Sequence, residues 1–293
     1  VNEPAWPARL RAFRRLSVVE LRTRRDLLPW SRPDAMRTLA WWMLAPLVVG
    51  TTWLAIGGYH AVFRPLNSPW ALLPDWLAQS ITFCGDTLYA LVLLLLVARR
   101  FPQVLWLATC SGVVATVLSR GLKALVDSAR PGAVLPPDSF HLVGPLYYTH
   151  SWPSGHTVTA FVAAASFSWF LPQAWLRWVL FALALLVGWS RVGVGAHWPL
   201  DVLGGMVIGT LSVFIGAVLA RRTPWGTSAP AHLLSVLALA GCAVALLLRT
   251  PSYPLAWPLA HGTAVALLTL TVWEYVVGPI AGAFDHRSAI PRR

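Results

Sequence analysis

The sequence predicts an all-α integral membrane protein, a polytopic bundle of about eight spans. Three observations carry that expectation. Of 293 residues, 57% are hydrophobic and only 12% are charged, a balance too apolar for an ordinary soluble domain. The apolar residues gather in near-continuous runs that approach the ~20 residues needed to cross a bilayer. Tryptophans such as Trp42, Trp76, Trp152, Trp198 and Trp257 fall near the ends of those runs, where an amphipathic ring meets the interface.

Taken in order, residues 1–38 are polar and Arg-rich and lack an apolar core of signal-peptide type, so no cleaved signal is expected. Leu10, Phe13, Leu16 and Val19 recur every three residues among Arg11, Arg14, Arg15 and Arg22. This reads either as a basic amphipathic helix lying on anionic lipid or as a solvated tail. Spans are expected over 39–57, 77–98, 103–122, 156–171, 174–190, 200–220, 231–248 and 259–280. Pro46 interrupts the first and is expected to kink it, and Pro172 tightens the turn between the fourth and fifth. The Pro-rich stretch Arg249–Pro258 turns the chain between the last two. The chain therefore divides into a basic cytoplasmic segment (1–38), a membrane core (39–222), two additional spans (223–281) and a cytoplasmic tail (282–293).

The net charge of +12 invites a nucleic-acid reading, but the positions of the charges exclude it. Nine arginines precede the first apolar run and most others lie in short loops. With both termini inside, 17 Lys and Arg residues are cytoplasmic and 6 are outside, which fixes the orientation. Cys84, Cys110 and Cys242 lie within apolar runs without metal-ligand spacing and read as packing residues.

Three stretches meet on the outer face, and the first and third of them hold three of the six outer cations. In the first, Lys123-x6-Arg130-Pro131, a seven-residue spacing is expected to set both cations on one helical face, aimed together at a phosphate. In the second, Trp152-Pro-Ser-Gly-His156, Ser154 is a natural N-cap. Gly155 lets a ligand approach the free amides of a helix start, and His156 stands over an anion held there. The third, Ser190-Arg191-x5-His197-x3-Asp201, puts His197 just before a helix opened by Pro199 and Asp201 about one turn in. The carboxylate can then take one imidazole N–H, fixing the tautomer and freeing the other nitrogen as a nucleophile. Together these groups suit phosphoryl transfer through a phosphohistidine, where positioning and charge stabilisation do most of the work. There is no carboxylate cluster for magnesium and no third ligand beside the two histidines, so no metal or other cofactor is expected.

In order and in full, the three motifs resemble the signature of the type 2 phosphatidic acid phosphatase superfamily. Its members include membrane lipid phosphatases, glucose-6-phosphatases, soluble bacterial acid phosphatases and vanadium haloperoxidases. The resemblance covers roughly residues 75–220 and implies a six-helix core inside the bundle, with the last two spans as additions. It implies that Lys123, Arg130 and Arg191 bind phosphate, assisted by Ser154 and Gly155. His197 attacks phosphorus and Asp201 orients it. His156 protonates the leaving oxygen and then activates water. Asp86, in the outer half of the second expected span, is expected to face the bundle and to pair with a site cation or support a loop. His150 reads as an exposed loop residue or a substrate gate, whereas His60, His141, His232 and His261 read as incidental.

The branch most resembled is the membrane lipid phosphatases, of the undecaprenyl diphosphate phosphatase and phosphatidylglycerophosphatase B type. The implied protein sits in a bacterial inner membrane with its site facing outward. It removes the terminal phosphate of a lipid mono- or diphosphate: undecaprenyl diphosphate, phosphatidylglycerol phosphate, phosphatidic acid or a lipid A phosphate. The undecaprenyl carrier is favoured because an outward site suits its recycling. Its partners are that lipid phosphate and the surrounding membrane lipids, not nucleic acid. The alternatives are a phosphotransferase that passes phosphate to another lipid and a non-catalytic lipid-binding or transport protein.

Overall fold

The computed structural model describes residues 30, 32–250 and 252–278. The periodic stretch at Leu10–Val19 and the tail over 282–293 lie outside the described residues. Among the described residues there is no strand. The principal helices are α1 (Pro33–Gly57), α2 (Asp75–Phe83), α3 (Thr87–Leu93, running on into Leu95–Ala98) and α4 (Pro102–Val126). They are followed by α5 (Gly155–Ser168), α6 (Ala174–Gly193), α7 (Pro199–Arg222), α8 (Ala229–Leu248) and α9 (Trp257–Val272).

The fold is the all-helical, polytopic bundle that the composition predicts. Six described helical segments, those of α1, α4, α6, α7, α8 and α9, are long and apolar enough to cross a membrane, or seven if α2 and α3 form one bent span. The expected fourth span is α5, a helix of 14 residues. At 1.5 Å per residue it rises about 21 Å, less than the ~30 Å hydrocarbon layer. It packs against α4, α6 and α7, so protein rather than lipid covers most of its length. Pro46 lies inside α1, which continues through it as helix. Pro172 falls in the short turn between α5 and α6.

The expected second span is not one continuous helix. Its halves, α2 and α3, meet at an angle of 68°. The cause is local: Asp86 is extended (φ −65°, ψ 130°) and its Oδ1 accepts the amides of Leu88 and Tyr89 at 2.9 and 3.2 Å. It is thus the N-cap of α3, at the break within the expected second span.

α7 is the centre of the bundle, packed against α1, α4, α5 and α6. Without a hydrophobic drive between helices in lipid, close packing of small residues holds them together. A Cβ at Gly205 would lie 2.9 Å from the Ser154 carbonyl oxygen, and one at Gly209 would lie 2.8 Å from that of Val158. The Gly-x3-Gly face of α7 therefore lets the α5 backbone come into contact. Large apolar side chains such as Leu47, Val117, Leu183 and Leu237 are exposed and form the lipid-facing surface. The hairpin of α8 and α9 docks on α3 and shares a second apolar core with it, including Tyr89, Leu239, Ala243 and Ala264.

Candidate active site

The three sequence stretches converge, and backbone hydrogen bonds join them. Ser154 N–H donates to the Asp201 carbonyl (3.0 Å), and Ser151 N–H to that of Ser128 (2.9 Å). Trp198 Nε1 donates to the Ala129 carbonyl (2.8 Å), and Arg130 Nη1 to that of Ala196 (3.1 Å). Each stretch is thereby registered against the other two.

His197 and Asp201 are buried, 2% and 0% exposed. His197 Nδ1 lies 3.1 Å from Asp201 Oδ2, which fixes the protonated nitrogen and leaves Nε2 for chemistry. The same Oδ2 accepts Trp198 N–H at 2.8 Å and the Ser151 hydroxyl at 2.5 Å, and Oδ1 accepts the Tyr59 hydroxyl. A buried carboxylate that accepts four donors is held in place. Burial, then Asp201, push the Tyr59 phenol above its ordinary range, so it remains a donor. Burial, then the cations Arg130, Arg191 and Lys123, hold His197 well below 6.5, and the ring stays neutral near neutral pH.

Lys123 and Arg130 come together by a different route from the one the spacing suggests. α4 ends at Val126, Asp127 turns left-handed (φ 36°), and Arg130 is extended (φ −87°, ψ 166°). The two cations therefore do not share a helical face; Pro131 holds the residue before it out of helix. They meet at a loop instead. Lys123 Nζ donates to the His150 carbonyl (2.5 Å), and Arg130 donates to those of Thr149 (2.8 Å) and His150 (3.4 Å). His150 itself has an exposed ring 3.6 Å from Asp127.

Arg191 is 2% exposed. Its Nη1 donates to Thr82 Oγ1 at 2.6 Å and to Tyr253 Oη at 2.7 Å. Its buried Nε has no hydrogen-bond partner among the described residues. Ser154 caps α5, its hydroxyl accepting from Thr157 Oγ1 at 2.9 Å. A Cβ on Gly155 would meet nothing within 4 Å, which leaves the first amides of α5 open to an anion. Gly85, at the α2–α3 break, sits against His156; a Cβ there would be 2.8 Å from His156 Cβ. Asp86, expected to pair with a site cation or to support a loop, pairs at 2.8 Å with Arg249, a cation of the loop after α8 and not one of the three in the motifs.

Several contributors carry no motif. Tyr59 and Ser151 hold Asp201 from 142 and 50 residues away. Asn67 Nδ2 caps the end of α6, donating to the carbonyls of Val192 (2.9 Å) and Gly193 (3.1 Å). His141 Nδ1 reaches the Gly193 carbonyl at 2.8 Å, so this histidine, read from sequence as incidental, helps hold the third stretch. Among the described residues no three His, Cys, Asp or Glu side chains gather as a metal site.

Three cations, a buried His–Asp pair with one ring nitrogen free and an open helix start thus gather at one place in a helical membrane bundle. The chain belongs to the PAP2 superfamily, whose family model matches residues 101–225. It is 33% identical to an undecaprenyl-diphosphatase of Sulfolobus acidocaldarius, over 45% of this chain and 62% of the relative. It is 31% identical to a lipid A 1-phosphatase of Rhizobium etli, over 44% and 58%. With the undecaprenyl-diphosphatase BcrC of Bacillus subtilis it shares 30% identity, over 48% of this chain and 72% of the relative. The chain thus spans about three fifths of the length of the first two.

Proposed function

We propose that the protein is a metal-independent membrane phosphatase that hydrolyses the terminal phosphate of a lipid mono- or diphosphate. The observation that carries this reading is the buried His197–Asp201 pair set among Lys123, Arg130 and Arg191. His197 Nε2 attacks phosphorus, and the bond from phosphorus to the leaving oxygen breaks while His156 gives that oxygen a proton. Asp201 stabilises the positive imidazole that results. Water, deprotonated by His156, then attacks phosphorus; the P–N bond breaks and inorganic phosphate leaves. The three cations and the first amides of α5 stabilise the equatorial oxygens.

A groove of about 470 Å³ between α3, α4 and α5 supports a lipid rather than a soluble phosphate. Lys123 and Gly155 lie at one end of it, and Leu94, Ala108 and Val162 line its depth. A chain lying there would bring its head group to the site. The names of the relatives support undecaprenyl diphosphate first and lipid A second. The Lys and Arg distribution supports a site on the outer face of a bacterial cytoplasmic membrane.

The test is turnover of purified protein on undecaprenyl diphosphate, phosphatidylglycerol phosphate, phosphatidic acid and lipid A phosphates. Free phosphate and phosphorylated acceptor lipid are both measured. Release of phosphate that EDTA leaves unchanged is the expected result. Transfer to lipid in place of release makes the protein a phosphotransferase, and no turnover of any lipid phosphate overturns the reading.

A further inference from the structure

The α8–α9 hairpin lies beyond the family match at residues 101–225, yet its loop enters the candidate site. Two contacts clamp that loop, one to the α2–α3 break and one to α2. Arg249 Nη2 pairs with Asp86 Oδ2 at 2.8 Å, and Leu255 N–H donates to Gln79 Oε1 at 2.9 Å. Between them Tyr253 is 2% exposed. Gly144, left-handed at φ 85°, passes so close beneath its ring that a Cβ would lie 2.6 Å from it. The phenol oxygen accepts from Arg191 Nη1, and the guanidinium carbon lies 5.5 Å from the ring centroid.

A guanidinium presents its donors as a rigid planar fork. Pinning one terminal nitrogen at two acceptors removes the freedom of the whole plane. Thr82 from α2 and Tyr253 from the hairpin accept from the same Nη1, while Nε is buried without a partner among the described residues. One corner of the fork is therefore committed to protein, and a buried donor is left over. A buried donor of this kind costs free energy until an acceptor meets it, and a phosphoryl oxygen is such an acceptor.

We infer that Tyr253 is a positioning residue for phosphoryl transfer, holding Arg191 so that its remaining donors meet the transferring phosphoryl group, and that the added hairpin is thereby part of the catalytic apparatus. This rests on the phosphatase reading above. Tyr253 acts through Arg191 and leaves the chemistry to the histidines. Because the fork must match the trigonal transition state more closely than the bound ester, loosening it lowers kcat more than it raises KM.

The experiment is a double-mutant cycle on the purified full chain, with phosphate release from the lipid that the wild type turns over and with inhibition by vanadate, a trigonal-bipyramidal phosphoryl mimic. Tyr253→Phe keeps the buried ring and removes the acceptor. The expected result is a fall in kcat on the order of 10-fold with KM little changed and a parallel loss of vanadate affinity. In an Arg191→Lys background the same change has little further effect, because the pair acts as a unit. Thr82→Val removes the other acceptor from α2, and the same non-additivity with Arg191→Lys is expected. Thermal unfolding in detergent checks that each variant folds. Unchanged kcat in folded Tyr253→Phe, or losses that add to those of Arg191→Lys, overturns the inference. Wild-type protein without phosphatase activity overturns the phosphatase reading instead, so the two failures are distinct.

Discussion

The bundle that carries the motifs and the hairpin that follows it reach the same centre by different means. From α4 to α7 the functional side chains sit in short runs, each at a helix end, and backbone hydrogen bonds lock the runs together. From α8 to α9 a single tyrosine in a Pro-rich turn does the reaching, and an ion pair and one amide hold that turn in place. Chemistry is thus concentrated where the chain is registered through its backbone. Support for that chemistry is added where side chains can bridge between elements. The first arrangement leaves a pattern in the sequence; the second leaves almost none.

The contrast predicts a graded response to substitution. His197→Ala removes the proposed nucleophile, and phosphate release in a lipid phosphate assay is expected to fall about 10⁴-fold or more. A residual rate near wild type would mean that the chemistry lies elsewhere. Gly85→Ala adds a methyl group where 2.8 Å separates the ideal Cβ from that of His156. Displacing the proposed proton-transfer group by a fraction of an ångström is expected to cost roughly 10-fold in kcat, measured beside Gly241→Ala, a helical site where an added Cβ meets nothing within 4 Å. In the hairpin, Arg249→Gln breaks only a partly exposed ion pair. A loss of a few-fold or less is expected; a loss approaching that of His197→Ala would erase the distinction between the two regions.

The smallest expected effect is on stability. His197 resists protonation in the fold because of burial and the nearby cations, whereas a histidine in the unfolded chain takes up a proton near pH 6.5. As pH falls through that value the unfolded chain binds the extra proton, so stability declines below about 6.5 and this group adds no slope above it. Comparing unfolding midpoints at pH 7.5 and 5.5 for wild type and His197→Gln checks the sign. The drop is expected to be larger for the wild type.

Much of this was legible in the sequence, and the limits have physical causes. A four-residue spacing after a His, with Pro199 to open a helix, specifies the His197–Asp201 contact locally, and Ser154 before Gly155 specifies a cap. The break between α2 and α3 had a local sign too, the Gly85-Asp86-Thr87 sequence inside an apolar run, but hydropathy averages over it. For Lys123 and Arg130 the seven-residue spacing points to one helical face and Pro131 to a helix end at or near Arg130; the helix stops four residues earlier, at Val126, so the effect of Pro131 prevails over the spacing. Tyr59, Ser151, Thr82 and Tyr253 had no sign of their own. Their partners lie 50 to 142 residues away, and nothing in a short window encodes such a meeting.

The contact of Gly205 and Gly209 with α5 has a mechanical meaning. Side-chain contacts are compliant, since rotamers and tilts can absorb a displacement; backbone against backbone is stiff. The helices bearing the proposed proton donor and the carboxylate beside the proposed nucleophile meet along that stiff line, while the bulky lipid-facing side chains form a softer rim. When bilayer thickness changes, the rim deforms first. Turnover is then expected to follow the lipid head group closely and the length of the surrounding acyl chains only weakly, which reconstitution in bilayers of graded thickness measures directly.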